Sequence, residues 1–272
     1  MARGAAALVA VAVWIAPAGV PVAAAASTPH PSTPHATAQP AATPGAAGST
    51  QPSAVGKRIE SLLVARSAYR ALAKHDPAAF AAIVEAVERS PQSGAGDEVV
   101  LAVARGYLSP IAFRSMAHAT DTTAEDFARN LALEIRIAGK KEGDACFAVL
   151  GPDADAAVRI TKVDLGTLDD FDLDRIAEAI EKTATQPNPV PTHDDVARAF
   201  DPIASGIGRR YGDDANLLER LDQPGIDKPK ACKIAVDYIS LTLSRQDSKA
   251  AGKVMRYLLS TFDAAGAGGK AR

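Results

Sequence analysis

Few side chains in this chain have a spacing that could do chemistry. The most suggestive run is Asp169-Asp-Phe-Asp-Leu-Asp174. Counted from Asp170, carboxylates stand at loop positions one, three and five, with Glu178 at nine and Glu181 at twelve. That is the oxygen-ligand spacing of a calcium-binding EF-hand loop. Such a loop turns sharply at position six, but here that position is Arg175 and not glycine. The stretch Asp174–Lys182 also carries a helical apolar pattern that would not wrap a cation. The run therefore reads as acids gathered at a helix N-terminus, where capping and the helix dipole favour them. No metal site is assigned.

The other chemical motifs are incomplete. Ala204-Ser-Gly206 lacks the first glycine of a G-x-S-x-G nucleophile elbow and lies in a helical pattern. Gly206-Ile-Gly208 follows no strand, and Gly268-Gly-Lys270 has no helix after it, so neither reads as a phosphate loop. The histidines at 30, 35, 75, 118 and 193 show no ligand spacing, although His30 and His35 share a repeated STPH. His75 and His193 stand beside predicted helix caps and read as surface residues. Arg209-Arg210-Tyr211, with Lys228, Lys230 and Lys233, forms a modest basic cluster that reads first as cations at a helix C-terminus. A hydrolase of envelope material would draw on Glu134, Glu142 or Asp144, and would need one of them in a cleft with raised proton affinity. No motif singles out a catalytic residue, and the sequence specifies no cofactor and no ligand-binding residue.

Cys146 and Cys232 are the two cysteines. In an exported chain, two cysteines read first as one disulfide. The loop it would close stabilises by roughly 4 kcal/mol in the chain-entropy model. A redox role would ask for a C-x-x-C pair or an isolated activated thiol, and the sequence has neither.

Export is the reading of residues 1–26. Arg3 opens the segment, an apolar run follows from Gly4 to Ile15, Pro17 and Pro21 break any helix, and Ala24-Ala-Ala26 closes it. This is the order of a secretory signal peptide, with cleavage placed after Ala26. The alternative is an uncleaved anchor over residues 5–26, which is long enough to span a bilayer. Either way the lone positive charge before the apolar run places the body outside the cytoplasm, in the periplasm or secreted. Membrane contact is expected only if the segment is uncleaved.

Residues 27–56 are rich in Pro, Ser, Thr, Ala and Gly, without Asp, Glu, Lys or Arg and without apolar periodicity. Such a stretch buries too little to offset its ordering entropy, so a disordered linker is expected there. The net charge of −2 argues against a nucleic-acid binder, which needs a basic excess. Aromatic residues are only 5%, and the single tryptophan, Trp14, lies inside the export segment, which disfavours ligand stacking on rings.

From Lys57 to Asp263 the apolar spacing is helical. It predicts an all-α domain of about nine helices, with a flexible tail over 264–272. The expected helices include Val55–Lys74 and Asp97–Tyr107, and a separate one opened by Ser109-Pro110. Others are opened by Asp76-Pro77, Asp121 or Thr122, Asp172, Thr192, Asp227 and Asp247. Leu131–Ile137 and Val158–Val163 also alternate, and a small hairpin is the competing reading there. These observations together point to an exported helical module of a bacterial cell envelope with an unknown protein partner. An apolar-ligand module and a carboxylate hydrolase are the alternatives.

Overall fold

Most helices of the body begin where a short polar side chain takes a free backbone N–H group, as Ser53, Asp76, Thr120, Asp153, Thr192 and Asp227 do. The computed structural model describes residues 53–151, 153–165, 168–221 and 225–267, and these form one compact unit. The expected export segment, its cleavage point, the His30/His35 pair and Gly268–Lys270 lie outside the described residues. In chain order the α-helices are α1 Ala54–Val64, α2 Ser67–His75, α3 Pro77–Arg89, α4 Asp97–Ala117, α5 Asp121–Glu142, α6 Phe147–Leu150, α7 Ala154–Ile160, α8 Leu168–Thr185, α9 His193–Tyr211, α10 Lys228–Arg245 and α11 Ser248–Ala267. A 3₁₀ helix, Gly212–Arg220, follows α9. The fold is all-α, and no strand occurs among the described residues.

Several caps follow the sequence, but Asp172, expected to open a helix, lies inside α8, which begins at Leu168. Asp76 accepts from the Ala79 N–H at 3.0 Å, with Pro77 in the first turn of α3. Asp227 does the same for Lys230 at 3.1 Å, and Asp247 for Ala250 at 2.9 Å. Thr192 and Asp195 satisfy one another's backbone reciprocally, a capping box that starts α9. The cap of α5 is Thr120 rather than Asp121 or Thr122, accepting from Thr123 N at 3.1 Å.

Four further expectations are corrected. The single helix expected over Val55–Lys74 is two, because the chain turns at Ala65 and extended Arg66. The segments Asp97–Tyr107 and Ser109 onward are one helix, α4, with Pro110 inside it. Proline there leaves the Gly106 carbonyl without its usual donor and costs roughly 3 kcal/mol in an isolated helix. Burial of α4 on most of its circumference outweighs that cost. Val100, Val103, Leu108, Phe113 and Met116 are all buried along it. Leu131–Ile137 is part of α5, and Val158–Ile160 ends α7, so the competing hairpin is absent. The described residues form eleven α-helices and one 3₁₀ helix, against about nine expected.

Two central helices organise the rest. α4 packs against α3, α6, α7, α8 and α11, while α5 packs against α8, α10 and α11. The Pro187–Pro191 stretch lies across the α4–α5 corner. Asn188 N–H donates to His118 O at 3.1 Å, and its side chain donates to Ala119 O at 2.9 Å. Buried Arg256 of α11 fixes the same corner, donating to Ala117 O at 3.1 Å and pairing with Asp121 at 3.0 Å.

One turn before Arg256, Gly252 lets α11 seat on α5. A Cβ there would stand 2.1 Å from the Asp121 carbonyl oxygen, which is backbone and has no room to move aside. Gly252→Ala should therefore destabilise the protein by about 1–3 kcal/mol through overpacking. In an exposed helix the same change would gain roughly 1 kcal/mol. Urea denaturation distinguishes the two signs.

Candidate functional site

α4 is apolar on nearly every side, yet it carries Arg105 in its middle. A buried guanidinium must be paired, and three acids meet it. Arg105 NH2 donates to Glu134 Oε2 of α5 at 2.5 Å and to Asp172 Oδ2 of α8 at 3.1 Å, and its NH1 pairs with Asp169. Glu134 and Asp172 are fully buried, whereas Asp169 is 41% exposed. Asn130, one turn before Glu134, donates to Asp172 Oδ1 at 2.6 Å and to the Leu168 carbonyl at 2.9 Å. It thereby closes the first turn of α8 onto α5.

Two fully buried carboxyls next to one cation do not both ionise readily. Burial, and then the neighbouring Glu134, push the Asp172 carboxyl up to about 9, against the pull of Arg105 and Asn130. Asp172 therefore keeps its proton near neutral pH, with the Glu134 carboxylate beside it as the acceptor. Glu134 Oε1 is buried and accepts no hydrogen bond from the other described residues, which leaves it open to the Asp172 proton. For Arg105, burial works against the charge, but Glu134, Asp169 and Asp172 outweigh it and hold the guanidinium firmly protonated.

A cleft of about 300 Å³ opens on the other side of Arg105. Its walls come from α2, α4 and α8 and from the chain after α7. Leu101, Ala102, Ile160 and Leu173 supply apolar surface, and Arg66, Tyr69, Glu98, Arg105 and Asp169 supply polar groups. The volume is at the lower end of the range for small-ligand pockets. Tyr69, only 2% exposed, belongs to this wall, and burial raises its phenol well above the usual range.

The residues singled out in the sequence fall as follows. The acid run is helical: Asp172 points inward, Asp170 and Asp174 are exposed, and the three do not converge as an EF-hand loop would require. Among the described residues no group of three or more His, Cys, Asp or Glu could hold a metal. Ala204–Gly206 and Gly206–Gly208 lie within α9. Glu134 joins the buried cluster but does not line the cleft, and Asp144 pairs with Arg159 at 2.9 Å. Glu142, at the end of α5, is in neither. His193 is half-exposed and 3.0 Å from Asp201, whereas the His75 side chain is only 17% exposed, against the surface position expected for it.

The basic cluster is largely neutralised. Asp237 receives Arg210 at 2.6 Å, Tyr211 at 2.5 Å and Lys233 at 3.3 Å. Lys230 pairs with Asp214 at 2.9 Å, and Lys228 pairs with Asp153. Cys146, in the turn before α6, faces Cys232 of α10 with Cα atoms 6.3 Å apart, a spacing that suits a disulfide.

Sequence reading missed Arg105 and the cleft. The signal was present: Arg105 is a lone charge inside an otherwise apolar helical stretch from Val99 to Leu108. Comparison with protein-family models, with curated proteins and with solved structures finds no match to this chain.

The cluster makes stability depend on pH with a defined sign. An acid whose affinity for protons is raised by folding stabilises the fold below its unfolded value near pH 4, and that stabilisation is lost as pH climbs toward 9. The melting midpoint should therefore fall steadily from pH 5 to pH 9. In Glu134→Gln the second of the two causes is removed while burial of Asp172 remains, so that slope should become shallower. Arg105→Met, which strands the acids, should cost about 3–5 kcal/mol at pH 7. Thermal melts across this range check all three, and an unchanged slope in Glu134→Gln would refute the influence of Glu134 on Asp172.

Proposed function

We propose that this chain is a non-enzymatic binding module of the bacterial cell envelope, exported by residues 1–26 and held on a linker that begins at residue 27 and ends before Ser53, the cap of α1. In this reading the cleft between α2, α4 and α8 receives a small molecule with an apolar body. The observation that carries it is the contrast across Arg105. The one carboxyl pushed strongly upward, Asp172, is sealed behind the guanidinium with no surface for a substrate. In front lies an open, half-apolar cleft of about 300 Å³. A general acid must reach the proton it transfers, so the separation favours binding over hydrolysis.

An unknown envelope protein is the second partner to weigh. Among the described residues, four large apolar side chains are at least 36% exposed, and they sit on four different helices: Val55 on α1, Leu133 on α5, Val158 on α7 and Phe171 on α8. Singly exposed apolar residues are ordinary on monomers. They supply less support for a broad interface than the cleft does for a ligand.

Export accords with the cysteine pair, since an oxidising compartment lets Cys146 and Cys232 join. No helix of the described residues is long and apolar enough to cross a membrane, and residues 5–26 lie outside them. Intact mass of the native protein, alkylated with and without reduction, should match Ser27–Arg272 with both thiols protected until reduced. A full-length mass with two free thiols would refute cleavage and the bridge together.

For binding, straight-chain alcohols should raise the melting midpoint of the full-length chain. Ala102→Trp, which fills the cleft, should abolish that rise while the far-UV circular dichroism stays helical. A rise that persists in Ala102→Trp would place binding elsewhere, and no rise with any apolar compound would argue against the ligand reading.

A further inference from the structure

The polar groups of the cleft are not evenly spent. Both cations on its wall are already matched. Arg66 pairs with Asp170 at 2.9 Å, and Arg105 holds Glu134, Asp172 and Asp169. Glu98 and Asp169 line the same space, and Glu98 forms no ion pair among the described residues. An anion entering the cleft would find both cations already matched and two carboxylates facing it, whereas a cation would be drawn in.

Two groups on the wall also retain unused acceptor capacity. Tyr69 is 2% exposed and lines the cleft, yet its hydroxyl has no hydrogen-bond partner among the described residues. A buried phenol usually finds a partner. Asp169 spends Oδ1 on Arg105, and among the described residues its Oδ2 has no partner. Asp169 lies near enough to Tyr69 for its charge to act on the hydroxyl. Around these groups the wall is apolar, through Leu101, Ala102, Ile160 and Leu173.

We infer that the cleft is built for an amphiphilic primary amine, with its ammonium donating to Tyr69 Oη and Asp169 Oδ2 and its hydrocarbon body against Leu101, Ile160 and Leu173; this rests on the binding reading above. An ammonium carries three donors and no acceptor, so it matches a wall whose open groups accept. Its hydrogen bond to a carboxylate is charge-assisted and stronger than one between neutral groups. A carboxylate head would face Asp169 and Glu98, and a hydroxyl head would leave the negative field uncompensated.

Isothermal titration of the full-length chain at pH 7 with octylamine, octanol and octanoate separates the heads on one hydrocarbon body. Octylamine should bind at least about tenfold more tightly than either of the others, the factor that one added charge-assisted hydrogen bond supplies. Tyr69→Phe removes only a hydroxyl that makes no bond to the described protein, and Asp169→Asn removes a half-exposed charge. Each should weaken octylamine by about five- to tenfold and leave octanol unchanged. Octanoate or octanol binding as tightly as octylamine overturns the amine assignment and leaves the ligand reading standing. Octylamine binding that is untouched by both substitutions also overturns the assignment. Absence of heat from all three compounds overturns the assignment and the reading beneath it.

Discussion

One guanidinium held among three acids is the constraint around which the centre of this fold is arranged. The Arg105 side chain is largely buried, so α5 and α8 must each bring a carboxylate to it. Those acids sit on helices far apart in sequence. Their meeting fixes the rotation of α8 about its own axis as well as its distance from α4. An apolar contact would tolerate small rotations of α8. A cluster with a protonated Asp172 and an Asn130 hydrogen bond tolerates much less, because each lost bond strands a buried polar group. Buried ionic clusters add little net stability over well-packed apolar groups. Their contribution is directional, and here the direction is the register of three helices.

That register also creates the cleft. Arg105 belongs to both sides of α8: its NH2 faces the buried dyad and its NH1 faces Asp169 at the cleft wall. The dyad carries one negative charge while Asp172 keeps its proton, which matches the guanidinium. Asp169 is then surplus to neutrality, and its charge is left to act on the space in front. The negative character of the cleft is thus a consequence of how the core is neutralised. A core with a single buried acid would leave Asp169 as the counter-ion of Arg105, and the cleft would lose much of its field.

Local signals in the sequence carried through to the structure, and distant ones did not. Asp76-Pro77, Thr192–Asp195 and Asp227 stand at helix starts because a cap involves residues three apart, and the chain can satisfy it without reference to the rest. Pro110 misled for the complementary reason. Its local preference is to end or begin a helix, and only burial by partners distant in sequence carries α4 through it. The acid run Asp169–Asp174 shows a subtler limit. Periodicity marks it as helical, but which acid turns inward is decided by where Arg105 lies, 67 residues away from Asp172. Glu134 entered the sequence reading only as one of three candidate hydrolase acids. Its role was not legible, since a catalytic acid and a buried counter-ion look the same until the neighbouring helices are placed.

Glycine and arginine on α11 illustrate how the second half of the chain locks the first. Gly252 and Arg256 lie one turn apart, so they share a face of the helix. The absent side chain lets the helix descend onto the Asp121 carbonyl, and the long one then reaches the carbonyls of Ala117 and Pro189. Those acceptors come from the end of α4 and from the proline-rich connection, both of which would otherwise expose unpaired backbone. A larger residue at 252 would lift α11 and pull Arg256 out of reach of all three partners at once. The effect would pass through the α4–α5 corner toward Arg105 and Glu134, which stand on those same two helices. Close backbone approach at one end of the bundle and charge pairing at its centre are therefore parts of one requirement: α4 and α5 must keep a single relative position for the cleft to exist.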